Sequence, residues 1–202
     1  PGGSSPSPVP SPAGEAPKEP VKVKHVTSWY AQPEQGGQFA ALYKGFYEEA
    51  GLDVTIEPGG PNVNPVQLLA SGDAQFGMGQ SDVVINARGS GIPVVGVAGI
   101  FQKTPIGLFF HKGQDVKDFS DLNGRTVYVP TTSVYWPMMK EKYGLDNVQE
   151  MNYENSMVGF MNDERAVSHG YITNTPDLLA KQGVEVEWLY VHDSGYQPYA
   201  TT

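Results

Sequence analysis

The chain has 202 residues, with 13 Lys and Arg against 22 Asp and Glu, for a formal net charge of −9. That balance argues against a nucleic-acid or anionic-membrane surface, because both attract clustered positive charge. The sequence holds no cysteine, which excludes disulfides, thiolate catalysis and Cys-ligated zinc or iron–sulfur centres.

Residues 1–20, PGGSSPSPVPSPAGEAPKEP, are too poor in apolar side chains to offset their ordering entropy. They read as a disordered Pro/Ser/Gly tether, partly polyproline. A strand is predicted over residues 21–27, ending in the aromatic pair Trp29 and Tyr30. The polar, Gly-rich turn Gln32-Pro33-Glu34-Gln35-Gly36-Gly37 follows. A helix then places Phe39, Leu42, Tyr43, Phe46 and Tyr47 on one face, which is its expected core face. Gly51 stops that helix, and residues 53–57 form a second strand. Residues 58–61, Pro-Gly-Gly-Pro, lack the Gly-Lys-Ser/Thr end of a phosphate loop and read as a turn.

Further along, residues 74–79 form a short strand, and Ser81 opens a helix to Ala87. Residues 94–101 (VVGVAGIF) are apolar on both faces, as expected of a central strand in a helix-covered sheet. Strands are predicted at 106–111, 126–130, 148–153, 166–173 and 186–190, with helices at 134–143, 156–162 and 175–182. The alternation argues for an α/β fold. Gln102-Lys103-Thr104-Pro105 separates two such halves and reads as a crossover, stiffened by Pro105. Two α/β lobes joined this way form a hinged pair with a cleft between them.

Several pieces, in order and spacing, carry a resemblance. They are the aromatic turn and helix with Gly51-Leu52-Asp53-Val54, then Leu69-Ala70-Ser71-Gly72, then Ala87-Arg88-Gly89 before Gly91-Ile92-Pro93-Val94. Asp121-Leu122-Asn123-Gly124-Arg125 and Tyr199-Ala200-Thr201 complete the set. With these the chain resembles periplasmic substrate-binding proteins of ABC importers, in the group of nitrate, sulfonate, taurine and thiamine-pyrimidine binders. The resemblance implies a two-lobed periplasmic-binding-protein architecture of type II. Its divisions would be the tether at 1–20, lobe 1 at 21–103, and lobe 2 with the start of a return strand at 104–202. Lobe 1 has few helices for its sheet, so a fragment truncated at the C-terminus is expected. The resemblance also implies a binder rather than an enzyme, a monomer that delivers a small heterocycle to a membrane permease. It would stand outside the cytoplasm, held to the membrane by a lipidated N-terminus that this chain does not include. No cofactor is called for.

Within that group the aromatic-rich version is most similar to binders of flat, vitamin-like heterocycles. Riboflavin is the first choice and a thiamine pyrimidine precursor the second, because the long aromatic inventory suits a tricyclic ring. Relatives often carry His at the position of Gln35 and Glu at that of Thr175, so detailed contacts do not transfer. The same resemblance reaches fungal enzymes that build the thiamine pyrimidine from pyridoxal phosphate and one of their own histidines. Those enzymes place that histidine on the helix that here spans 81–87, and a cysteine-rich run near 195–201. This chain has neither. A two-lobed sensory module is the remaining alternative.

The candidate ligand-binding residues follow from their places at strand ends and helix starts in both halves. Trp29, Tyr30, Tyr135, Trp136, Tyr171 and Tyr196 offer rings for stacking, with lobe-core packing as the competing reading for about half of them. Gln32 and Glu34 supply polar groups beside Trp29. Ser81 with Asp82, and Thr131 with Thr132, open helices directly after strands, where free N–H groups and hydroxyls meet polar ligands or merely cap the helix. Glu34 and Asp82 suit N–H donors and repel small oxyanions. The histidines His25, His111, His169 and His192 show no metal-ligand spacing.

Overall fold

A computed structural model describes residues 19–60, 63–153 and 156–201. The expected tether lies almost wholly outside these residues, as do Pro61 and Thr202. The chain builds two sheets. β1 (Val21–Val26), β2 (Leu52–Glu57) and the two-residue β3 (Phe76–Gly77) form a parallel sheet in the order β2-β1-β3. β4 (Ile106–His111), β5 (Thr126–Val129), β6 (Gln149–Asn152), β7 (Val167–Tyr171) and β8 (Val186–Tyr190) form a second sheet ordered β6-β5-β7-β4-β8. In the second sheet β5 runs parallel to β6 and β7, whereas β4 is antiparallel to β7 and β8.

The helices are α1 (Gly36–Tyr43), α2 (Phe46–Glu49), α3 (Pro65–Ser71), α4 (Ser81–Gly89), α5 (Tyr135–Tyr143), α6 (Val158–Asn162) and α7 (Thr175–Ala180). Local chemistry explains their limits. Asn64 accepts the Gln67 amide at the start of α3, Pro65 fills its first turn, and Gly72 ends it in the left-handed region.

The core lies in the second lobe. β4 is buried along Ile106–Phe110, where IGLFF sits between two neighbouring strands and under helices. Leu108, Val127, Val129, Tyr135, Trp136, Met139 and Val167 pack into one cluster with it. A smaller cluster gathers Phe160, Ala166 and Leu179.

The first lobe departs from expectation in two places. The predicted single helix is broken at Gly45, whose φ of 76° is left-handed, so Tyr43 and Phe46 do not share a buried face. They are 82% and 53% exposed, because three short strands give α1 and α2 little to cover. Residues 94–101 do not form the expected central strand. Val94 is buried, but Val95 and Val97 are 72% and 74% exposed. A strand exists only where a neighbour completes its ladder. Here the only pairing, among the described residues, is a bridge from Phe101 to Ala200.

That bridge joins the two crossings between the lobes. Phe101 and Ala200 exchange backbone hydrogen bonds of 3.0 and 3.1 Å, and Ile100 donates to the Thr201 carbonyl. The chain at Ile100–Phe101, just before residues 102–105, and the chain at Ala200–Thr201 thus lie side by side.

Candidate functional site

The lobes face one another across a cavity of about 600 Å3. Its walls come from the residues that follow β1, β3, β5, β6 and β7, so the carboxyl ends of these strands converge on it. That is where open α/β sheets present ligand-binding loops.

The end of β1 is held by its own chemistry. Thr27 Oγ1 donates to the Trp29 carbonyl at 2.5 Å, and the Gly59 amide donates to both Thr27 Oγ1 and the Trp29 carbonyl. A Cβ on Gly59 would meet the Thr27 carbonyl at 2.1 Å. Glycine is therefore required for the close approach of the Gly59 backbone, rather than for a positive φ. The turn Pro33–Gln35 closes when Gln35 Oε1 accepts the Gln32 amide at 2.8 Å. This fixes Glu34 at 6% exposure against the cavity.

Trp29 lies partly buried in the wall. It stacks on Tyr153 of the second lobe, with ring centroids 6.1 Å apart and planes inclined by 30°. Tyr30 packs edge-on against Trp29 and stands 45% exposed at the rim, outside the lining. From the second lobe come Thr132, Tyr135 and Tyr171.

His169 completes this wall two residues before Tyr171, on the same face of β7. Its ring stacks on Tyr135 at 5.9 Å and meets Tyr153 edge-on at 5.3 Å. Its Nδ1 is 2.9 Å from the Tyr135 hydroxyl. Burial pushes the Tyr135 hydroxyl far up and the His169 ring down to about 4. At neutral pH both groups are therefore uncharged, and the direction of their shared hydrogen bond follows the tautomer of the His169 ring.

Two lobe-spanning hydrogen bonds run from hydroxyl to carboxylate. Thr173 donates to Glu34 Oε1, and Tyr196 donates to Asp82 Oδ2. Asp82 Oδ1 accepts the Val83 amide at 2.8 Å. Burial, followed by the Glu34 and Asp82 carboxylates, pushes the Tyr171 phenol up, so it remains a donor. Among the described residues no Lys or Arg lines the cavity, and no group of three or more metal-ligating side chains gathers.

The cavity thus brings together Trp29, Gln32, Glu34, Asp82, Thr132, Tyr135 and Tyr171 from the expected set. Others lie elsewhere. Trp136 is 3% exposed in the second-lobe core, because the face of α5 that carries it turns inward against the sheet. It and Thr131 border a separate pocket of about 220 Å3. Ser81 is engaged by the returning chain, its Oγ accepting the Tyr199 amide and its own amide donating to the Tyr199 carbonyl. Tyr196 sits behind the wall, on Tyr135 and Asp82.

Tyr153 and His169 were missed by sequence reasoning. The period of two along a strand had a signal for His169, since Tyr171 was already singled out. Tyr153 ends an exposed edge strand and carries no such mark.

A family model described as NMT1/THI5 like matches residues 32–202. The chain is 29% identical to the formylaminopyrimidine-binding protein of Halalkalibacterium halodurans, over 88% of this chain and 56% of that one. It is 25% identical to a riboflavin-binding protein of Chloroflexus aurantiacus, over 93% of this chain and 56% of the other. It is 28% identical to a 4-amino-5-hydroxymethyl-2-methylpyrimidine phosphate synthase of Schizosaccharomyces pombe, over 82% and 47%. The chain therefore spans about half the length of these curated relatives. The periplasmic aliphatic sulphonate binding protein of Escherichia coli superposes with a TM-score of 0.63 at 16% identity, over 91% of this chain and 61% of that one. At that identity the likeness concerns the fold, a two-lobed α/β binding-protein architecture.

Proposed function

The chain belongs to the NMT1/THI5 like family, and from that premise we propose that it is the solute-binding component of an ABC importer for a planar heteroaromatic compound. The observation that carries this reading is the contact between Trp29 and Tyr153, one ring from each lobe, in the wall of a cavity with no Lys or Arg among its described lining residues. Rings on two lobes stack on a flat ligand only when the lobes are closed, which gives closure its differential free energy. A cavity lined by two carboxylates and neutral donors discriminates against sulfonate or nitrate, despite the shared fold. Relatives named for formylaminopyrimidine and riboflavin support a vitamin-like heterocycle as the ligand.

On this reading the protein works as a monomer outside the cytoplasm, tethered there by its N-terminus, and hands its ligand to a membrane permease. Residues 21–103 and 104–202 act as the two moving lobes. The test is mass spectrometry of small molecules that co-purify with the protein. An unaltered heteroaromatic compound supports binding and transport. The relative named as a phosphate synthase favours a second reading, in which the chain is an enzyme. A chemically changed product would replace the first reading by that one.

A further inference from the structure

Glu34 and Asp82 are two carboxylates on one cavity wall, but only one has an oxygen to spare. Asp82 is fully engaged: Oδ1 accepts the Val83 amide and Oδ2 accepts the Tyr196 hydroxyl. Glu34 gives Oε1 to the Thr173 hydroxyl, while its Oε2 is buried with no hydrogen-bond partner among the described residues. The residue as a whole is 6% exposed. No Lys or Arg among the described lining residues is there to neutralise it. Leaving a buried carboxylate oxygen without a donor is costly, and a donor brought by a ligand recovers that cost.

We infer that Glu34 is the specificity-determining residue of this cavity: its Oε2 accepts an N–H from the ligand, so the ligand is an amine-bearing heteroaromatic ring. Asp82 instead serves as a positioning residue that holds Tyr196 against the wall. The inference rests on the proposed heteroaromatic reading and narrows it. A flavin ring offers Oε2 a single N–H, set between two carbonyl oxygens that the carboxylate would repel. An aminopyrimidine presents an exocyclic N–H, which Oε2 would accept. The rigid turn around Pro33 and the Thr173 hydroxyl fix where that oxygen points, so the site reads position as well as charge.

Two probes separate the possibilities: 4-amino-5-hydroxymethyl-2-methylpyrimidine, and the same ring with methoxy in place of the amine, which offers no donor at that position. Calorimetry on the 202-residue chain should show wild type preferring the amine by roughly tenfold to a hundredfold, the range expected for a hydrogen bond to a charged group. Glu34→Gln keeps an oxygen for Thr173 but puts an N–H2 where Oε2 stood, so the preference should shrink to a fewfold or reverse. Asp53→Asn, at an exposed carboxylate outside the lining, should keep it. A change in preference between two ligands is not a consequence of a damaged fold. An unchanged preference in Glu34→Gln overturns the assignment of Glu34 while leaving the heteroaromatic reading intact. Failure of wild type to bind either ring overturns both.

Discussion

At the residue scale, the ring of Trp29 is placed by hydrogen bonds it does not itself make. Thr27 and Gly59 hold its carbonyl, and the indole projects toward Tyr153. Replacing Trp29 with Ala should leave the melting temperature of the ligand-free protein nearly unchanged, since the ring is only partly buried. Affinity for the ligand should fall by roughly 1–3 kcal/mol, or about five- to a hundredfold, for one lost stacking face and its buried area. Calorimetry with a bound heterocycle decides this, and a collapsed melting temperature would make Trp29 a core residue instead. His169 makes a second residue-scale prediction. Burial lowers it from 6.5 to about 4, so the unfolded chain takes up a proton between those values while the folded chain resists. Stability from this group is complete above about pH 6.5 and is lost progressively down to about pH 4. At about 1.4 kcal/mol per unit the loss is at most about 3 kcal/mol. His25 is also lowered by burial and acts in the same direction. Urea unfolding between pH 7 and 4.5 should therefore show a shallower pH slope in His169→Gln than in wild type, and identical slopes would contradict the neutral, buried imidazole.

At the scale of elements, the binding loops depend on close backbone contacts that glycine alone permits. A Cβ at Gly59 would lie 2.1 Å from the Thr27 carbonyl and 2.9 Å from the Trp29 amide, both backbone atoms with little room to give. Gly59→Ala should thus push the end of β1 out of place. We expect a loss of about 1–3 kcal/mol in stability, the usual cost of overpacking, together with weaker ligand binding. Gly37→Ala makes a control, because nothing lies within 4 Å of the Cβ it would add. Equal behaviour of the two variants in thermal unfolding and calorimetry would show that the turn yields freely. The same scale explains why residues 94–101 misled the sequence reading. Their apolar pattern fits a central strand, but pattern does not supply a neighbour, and only Phe101 finds one in Ala200.

For the whole molecule, the two lobes are clasped by hydroxyl groups of the second lobe on carboxylates of the first, Thr173 on Glu34 and Tyr196 on Asp82. We expect these clasps to bias the lobes toward closure even without ligand. Removing both hydroxyls, in Thr173→Ala with Tyr196→Phe, should enlarge the radius of gyration of the ligand-free protein in small-angle scattering. Ligand should restore the smaller radius, at an affinity lowered by the added cost of closing. A radius that is the same in wild type and in the double variant would mean that the clasps hold nothing.

The sequence by itself determined the order of strands and helices apart from residues 94–101 and the break at Gly45, the acidic balance, and the presence of rings and carboxylates at the carboxyl ends of strands. These follow from local period, capping residues and composition, as Asn64 and Gly72 around α3 illustrate. It also placed Trp29, Glu34 and Tyr171 at positions that the folded chain brings to one cavity. Only the tertiary structure decided which ring meets which. Trp136 and Tyr135 are neighbours on one helix and both pack into the second-lobe core, yet of the two Tyr135 alone also lines the cavity. Tyr153, unmarked in the sequence, and His169, marked only by its strand spacing from Tyr171, complete the aromatic wall. Tertiary packing also separated Glu34 from Asp82, since Thr173 lies 139 residues from the one and Tyr196 lies 114 from the other. Partners so distant in sequence are chosen by how sheets and helices pack, and no local pattern records that choice.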